Sequence, residues 1–299
     1  MPDSKRPKIA ETARTRAIRR SVRRRVDVSV HRCQISTVAD PEQWRNRARG
    51  IEEYYERLAP VYGEGAVFGA RRAAVLAAIA DELAGARAVL DLGCGNGTYA
   101  AEFVARVPAA VVLGADLSAG MLSAARRRVG ERLSVVQTDA VALPFHHASF
   151  DVVFMSHVLQ LVDDIERCVA EVAACLAPGG RWITTVGVSG WRESVLRLLG
   201  PEALQELAAL VESGWSRAAN DNERRVSAAC AAAGLQPTWR SASFSATWAA
   251  LEEWIQIRWL TIADEARRAR VERWLAQVRP GAAGLTFSIS ESFLVARRA

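Results

Sequence analysis

Val89-Leu90-Asp91-Leu92-Gly93-Cys94-Gly95-Asn96-Gly97-Thr98 reads as a short buried strand that runs into a glycine-rich turn and then a helix. Glycines on alternate positions let the backbone approach a ligand where a side chain would collide. Asp91 stands just before the turn, where a carboxylate can meet a cationic or hydroxyl-bearing ligand. The helix beyond offers unpaired backbone N–H groups in its first turn. A dinucleotide fingerprint wants Gly-x-Gly-x-x-Gly, and here the third glycine comes one residue early. A phosphate-cradling loop ends in Gly-Lys-Ser/Thr, and no lysine is present.

Around this stretch the chain has 299 residues, half of them hydrophobic. That is room for one large α/β domain with an appendage, or for two small domains. No apolar run reaches the roughly 18–20 residues of a membrane span. The basic N-terminus is followed by no apolar region, so a secretory signal is not expected. The five cysteines, Cys33, Cys94, Cys168, Cys175 and Cys230, form no Cys-x-x-Cys pair. Neither a zinc site nor a disulfide framework is expected, and a reducing cytoplasm is the simplest home.

The net charge of +6 is unevenly placed. Residues 1–50 hold fourteen Lys/Arg and five Asp/Glu, a balance of +9, so residues 51–299 carry −3. The basic character belongs to the tail, residues 1–40, with its Arg19-Arg20 and Arg23-Arg24-Arg25 clusters. Two readings of it stand: a solvated tail without a packed core, or an electrostatic arm for RNA, a membrane surface or an acidic partner. Any helix there is basic on nearly every face, which argues against a membrane anchor.

Downstream of the tail, a helical segment opens at Asp40-Pro41-Glu42 and carries Tyr54 and Tyr55 towards Pro60 and Tyr62. Phe68 to Leu83 is apolar at helical spacing. Strands and helices then alternate. Ala88–Leu92 is the first strand, and the second, Ala110–Asp116, ends in an acid 25 residues after Asp91. A carboxylate at that strand end can accept both ribose hydroxyls of a nucleoside. Ser118 caps the next helix, whose first turn carries Met121, placed either against an adenine face or in ordinary core. Leu133–Gln137 is the third strand, followed by Thr138-Asp139-Ala140. Leu143-Pro144-Phe145-His146-His147-Ala148-Ser149-Phe150-Asp151 leads into the fourth strand, which ends in Met155-Ser156-His157. A helix from Asp163 to Leu176 ends in Ala177-Pro178-Gly179-Gly180, and Arg181–Val186 is the fifth strand. Further on, Leu235–Thr247 and Leu285–Val295 read as the last two strands. Helices are expected over Leu251–Leu260 and Asp264–Val278.

The glycine turn resembles the [Asp/Glu]-x-Gly-x-Gly-x-Gly motif of class I S-adenosylmethionine (SAM) dependent methyltransferases. Leu143-Pro144-Phe145 with Ser149-Phe150-Asp151 resembles the signature of the UbiE-like small-molecule branch. Together with the strand-end acid, Asp139-Ala140 and Leu-x-Pro-Gly-Gly, the resemblance spans residues of about 50–188 in the expected order. It implies a Rossmann-like, doubly wound α/β sheet of seven strands with the last antiparallel, helical cap segments over 41–85, a SAM-binding core over 86–188, and an acceptor-shaping lid with the last strands over 189–299. It implies SAM as cofactor, S-adenosylhomocysteine as product, and no metal. The implied cofactor set is Tyr62, Asp91, Gly93, Cys94, Gly95, Gly97, Asp116, Leu117, Met121, Asp139, Ala140 and Ser156. Within it, Tyr62 would reach the methionine end, Asp139 would accept from the adenine amino group, and the Ala140 backbone would recognise the ring.

The acceptor is less legible. Seven of the nine tryptophans lie between Trp191 and Trp274. They line an acceptor cavity, or pack the lid and a dimer contact. Trp191, Trp248, Glu252 and Trp254 are the candidate acceptor residues; Glu252 holds a cation, acts as a base, or simply faces solvent. His157, just past the fourth strand, is the candidate base, or it merely lines the cleft. His146 and His147 fall on an exposed loop. Cys168 and Cys175 share a helix face and should pack.

These readings lead to methyl transfer onto an O or N atom of a small, fairly hydrophobic acceptor, in secondary metabolism, by a cytoplasmic monomer or homodimer. The rivals are a methyltransferase that uses the tail to hold RNA or a peptide, and a non-catalytic SAM-binding module. A nicotinamide oxidoreductase is disfavoured by the glycine spacing.

Overall fold

The computed structural model describes residues 41–59, 62–63, 65–189, 191–203, 205–206, 219–256 and 265–299; the basic tail lies outside these. The chain opens with α1 (Pro41–Leu58), α2 (Ala66–Ala78) and the short α3 (Ala80–Leu83). It then alternates through β1 (Ala88–Leu92), α4 (Thr98–Arg106), β2 (Val111–Asp116), α5 (Ala119–Val129), β3 (Leu133–Gln137), β4 (Phe150–Ser156), α6 (Ile165–Cys175) and β5 (Leu176–Ser189). The C-terminal part holds α7 (Trp191–Leu199), α8 (Ala219–Ala232), β6 (Leu235–Thr247), α9 (Trp248–Ile255), α10 (Glu265–Ala282) and β7 (Thr286–Arg298).

The seven strands form one sheet in the order β3-β2-β1-β4-β5-β7-β6. Strands β1 to β5 pair in parallel, and β7 lies antiparallel between β5 and β6. The order reverses between β1 and β4. At such a switch point two successive connections leave on opposite faces and open a crevice at the strand C-termini. The glycine turn and Ser156-His157 both stand there.

Strand alternation assigns the two faces. Leu90, Leu92, Val153 and Met155 point towards α6 and α8, where they meet Val169, Val172 and Val226. Val89, Val152 and Phe154 point the other way, onto Val75, Leu76 and Ile79 near α2 and Phe103 of α4. All five β1 residues are buried, as parallel strands covered on both faces require. Each large apolar side chain so buried is worth about 1.5–3 kcal/mol. A separate cluster joins α9, α10 and β7 through Trp248, Leu251, Trp274, Leu275 and Phe287.

Several boundaries depart from the sequence reading. The Phe68–Leu83 helix breaks at Ile79 (φ −110°, ψ 11°). The short helix beyond carries Glu82, whose carboxylate receives Arg297 at 2.8 Å and Arg240 at 3.1 Å. Pro178-Gly179-Gly180 falls inside β5 as an irregularity, because Phe150 pairs with Leu176 and Val152 with Arg181. Helix α10 runs through Pro280 instead of stopping before it. A proline in a last turn forfeits one N–H bond there without ending the packing of the apolar face. Helix α9 ends at Ile255, and Trp259 lies outside the described residues. Among the described residues, no helix is long and apolar enough to cross a membrane.

Candidate functional site

The turn after β1 is tied to β2. The Ala115 carbonyl accepts from the N–H groups of Gly93 (2.7 Å) and Cys94 (3.0 Å). The Asp116 carboxylate accepts from the Gly95 N–H at 2.8 Å with one oxygen and from the Ser118 N–H at 2.9 Å with the other. The glycines do different work. At Gly97 (φ +81°) a Cβ would stand 3.0 Å from the Ala125 Cα, so this glycine lets α4 close on α5. At Gly95 (φ +53°) a Cβ would stand 3.7 Å from the Tyr62 ring and 3.9 Å from the Met121 sulfur. It would occupy the mouth of a cavity.

That cavity measures about 380 Å³ and sits over the crevice. Gly93, Gly95, Asp116, Leu117 and Met121 line it from the β1 and β2 side. Asp139 and Ala140 line it beyond β3, Ser156 and His157 at the end of β4, and Tyr62 from the cap. Burial pushes the Asp116 and Asp139 carboxyls above the ordinary range, although backbone N–H groups of Ser118 and Gly95, and of Val141 and Ala140, oppose the shift. Both are acceptors with unspent capacity facing the cavity. The size lies within the range of small-ligand sites.

Asp91, Cys94 and Gly97 do not line this cavity. Asp91 lies on the α4 side of β1, where the Ala100 N–H opposes the upward push on its carboxyl. Burial, reinforced by the charge of Asp116, pushes its carboxyl up to about 8. Its unfolded value is near 3.9, so between about pH 4 and 8 the folded chain holds a proton that the unfolded chain has released. Stability therefore falls as pH rises through that window. Asp91→Asn should flatten the slope. Melting temperatures measured from pH 5 to 8 should show the variant gaining on the parent as pH rises, by about 3–4 kcal/mol at the upper end.

The cap is clamped to the turn by Asn96, a residue the sequence reading did not single out. Its amide Nδ2 donates to the Tyr62 carbonyl at 2.5 Å and the Ala59 carbonyl at 3.5 Å. Glu56 of α1 accepts from the Gly120 N–H at 3.0 Å, in the first turn of α5. These bonds set Tyr62 over Gly95.

A second cavity, about 170 Å³, adjoins the first and shares Tyr55, Tyr62 and His157 with it. Its other walls are Phe68, Arg71, Gln160, Phe244, Trp254 and nearby aliphatic side chains. Of the acceptor candidates, Trp254 lines it. Trp248 is buried against Trp274 and Phe287. Glu252 pairs with Arg279 at 2.5 Å. The Trp191 side chain lies outside the described set. His146 and His147 are exposed, and Cys168 and Cys175 are buried in α6.

Behind His157 lies an arrangement that the sequence reading missed. Its Nε2 is 2.7 Å from Oε1 of Glu291, a carboxylate with no solvent exposure. The other oxygen of Glu291 faces the Arg71 Nε at 3.8 Å. The His157 contact is of hydrogen-bond length, while Arg71 stands further off as an ion contact. Burial works to raise the Glu291 carboxyl, but His157 and Arg71 outweigh it and hold it below the ordinary glutamate value. His157 has φ +55°, rare for a residue with a side chain. Its N–H reaches the Thr185 hydroxyl at 3.0 Å, which anchors that conformation. One signal was available. Phe287, Ile289, Glu291, Phe293 and Val295 alternate along β7 on the buried face, and Glu291 is the acid among them.

Residues 89–180 match the methyltransferase domain family. Over 180 residues the chain is 32% identical to the demethylmenaquinone methyltransferase of Deinococcus radiodurans, spanning 56% of this chain and 73% of that one. The chain belongs to the UbiE-like class I methyltransferases, which use SAM. The demethylmenaquinone methyltransferase of Thermus thermophilus is 37% identical over 136 residues, 44% of this methyltransferase and 60% of that one. The YcgJ protein of Bacillus subtilis shares the fold at 19% identity, with a TM-score of 0.51 over 76% of this chain and 98% of that one. The seven-stranded sheet with its antiparallel last strand is thus the Rossmann-like fold of the family.

Proposed function

We propose that this methyltransferase binds SAM in the larger cavity and methylates a small, largely apolar acceptor held in the adjoining one. The observation that carries the reading is the junction of the two cavities at Tyr55, Tyr62 and His157. SAM supplies an electrophilic methyl on a sulfonium centre. The chain's share is to hold donor and acceptor in line and keep water out, which can lower the barrier by several kcal/mol.

The residues present fit that cofactor. Asp116 takes the ribose hydroxyls at the end of β2, where a carboxylate with spare acceptor capacity is required. Asp139 and the Ala140 backbone take the adenine edge, Met121 and Leu117 its faces, and Gly93, Gly95 and Ser156 the region near the reacting end under Tyr62. Asp91, Cys94 and Gly97 support the turn from behind. The division into cap (41–85), SAM core (86–188) and lid with last strands (189–299) follows the same logic. Named relatives act on demethylmenaquinone and on malonyl-acyl carrier protein, which supports a small or small-group acceptor. An oxygen or nitrogen acceptor in a secondary-metabolic, cytoplasmic setting is our preferred context.

Asp116→Ala is expected to weaken SAM binding by about 1–3 kcal/mol, the scale for removing a buried charged acceptor; titration calorimetry measures it, and unchanged affinity would remove the ribose assignment. For the reaction, protein incubated with methyl-labelled SAM and cell extract should place label in the small-molecule fraction. Label in RNA or protein instead would overturn the reading and turn attention to the charged tail of residues 1–40.

A further inference from the structure

We propose that the acceptor is a single-ring aromatic hydroxyl seated in the second cavity, with His157 as its base and the buried Glu291 as the residue that positions His157. This rests on the reading of the first cavity as the SAM site. It goes beyond that reading by naming the acceptor class and the proton's path.

The second cavity has room for a single ring. At about 170 Å³ it compares with an engineered apolar cavity of about 150 Å³ that takes up benzene. Phe68, Phe244 and Trp254 offer aromatic walls, while Arg71, His157 and Gln160 place the polar groups. A ring with one polar substituent matches that division.

The polar groups then select the substituent. Ionised Glu291 faces Nε2 of His157 at 2.7 Å and is the natural acceptor for a proton on that nitrogen. The lone pair is thereby left on Nδ1, which lies 3.5 Å from the Gln160 amide, itself a lining residue of the cavity. The charged and titratable groups around the imidazole are Glu291 on β7 and Arg71 on α2, with the hydroxyls of Tyr62 and, beside Arg71, of Tyr99 on α4. An imidazole that has taken up a proton gains Glu291 as counter-ion, and Arg71 favours a developing phenolate in the same cavity. An amine acceptor would instead place a cation next to Arg71.

The step balances within these groups and SAM. The acceptor O–H bond breaks and its proton passes to Nδ1 of His157. An oxygen lone pair forms the bond to the methyl carbon. The carbon–sulfur bond breaks, its electron pair stays on sulfur, and S-adenosylhomocysteine leaves.

Phenol and 4-nitrophenol are the probes, since 4-nitrophenol is already substantially ionised near neutral pH and needs a base far less. The parent should transfer labelled methyl to both. His157→Gln should lose at least about tenfold in transfer to phenol and much less with 4-nitrophenol. Glu291→Gln should shift in the same direction, and Glu291→Asp should recover part of the loss. Without SAM, the parent should bind 4-nitrophenol with its phenolate absorption appearing at lower pH than in free solution, and His157→Gln should abolish that displacement. Calorimetric SAM affinity should stay within about twofold in both Glu291 variants. Normal SAM binding with no binding of or transfer to either phenol would overturn the inference alone. Equal losses with both phenols would do the same. Failure of the parent to bind SAM would overturn the reading of the first cavity and this inference with it.

Discussion

Gly95→Val is expected to abolish measurable SAM binding while leaving the chain folded. Two costs combine. Residue 95 has φ +53°, where a β-branched side chain is strained by about 1–3 kcal/mol. Its Cβ would also stand 3.7 Å from Tyr62 and 3.9 Å from Met121, in the space where the ligand must pass. The methyls beyond Cβ reach further into it. An affinity loss of more than about a hundredfold, or roughly 3 kcal/mol, is the expected calorimetric result. Gly97→Ala is the control. There the added carbon meets the Ala125 backbone at 3.0 Å, between α4 and α5, so the damage should appear in the melting temperature. If Gly95→Val bound SAM normally, the larger cavity would not be the cofactor site.

The contrast between these two glycines marks how far local sequence reaches. Strand, turn and helix were legible from Val89 to Thr98 because each is decided by residues within one turn of chain. The same holds for the alternation through β5 and for Ser118 as a cap, whose hydroxyl accepts from the Met121 N–H at 3.1 Å. What an individual glycine faces depends on a helix packed from elsewhere, and no spacing rule carries that. Asp91 shows the same limit. The motif places it beside the turn, yet β1 alternation sends its side chain to the α4 side, away from the cavity lined by Leu92 and Gly93.

Tryptophan density misleads for a related reason. A ring-lined cavity and a tightly packed lid need the same residues, and here Trp254 serves the first while Trp248 and Trp274 serve the second. His157 was visible by its place after β4. Its partner was not, because Glu291 arrives on the last strand, threaded between β5 and β6. Only the face assignment of β7 exposes an acid among Phe287, Ile289 and Phe293.

That buried acid supplies the second large effect. Arg71→Met is expected to destabilise the chain by about 3 kcal/mol at neutral pH, the scale for removing one partner of a buried ion pair. Methionine keeps much of the stem's packing, so the loss reports charge rather than volume. In the parent, Arg71 and His157 hold the folded Glu291 value below the unfolded one. Its contribution is therefore present above the unfolded value, near 4.3, and is lost as pH falls through the folded value. Without Arg71, one of the influences that lower the carboxyl is gone and the folded value moves up. The variant's deficit is therefore full where the carboxylate is ionised and shrinks as pH falls through the folded value. Denaturant unfolding at about pH 3 and pH 7 separates the cases, with the deficit expected to be larger at pH 7. A deficit independent of pH would mean that Arg71 stabilises α2 through its contacts with Phe68 rather than by balancing Glu291, and the ionised state assigned to the carboxylate behind His157 would lose its support.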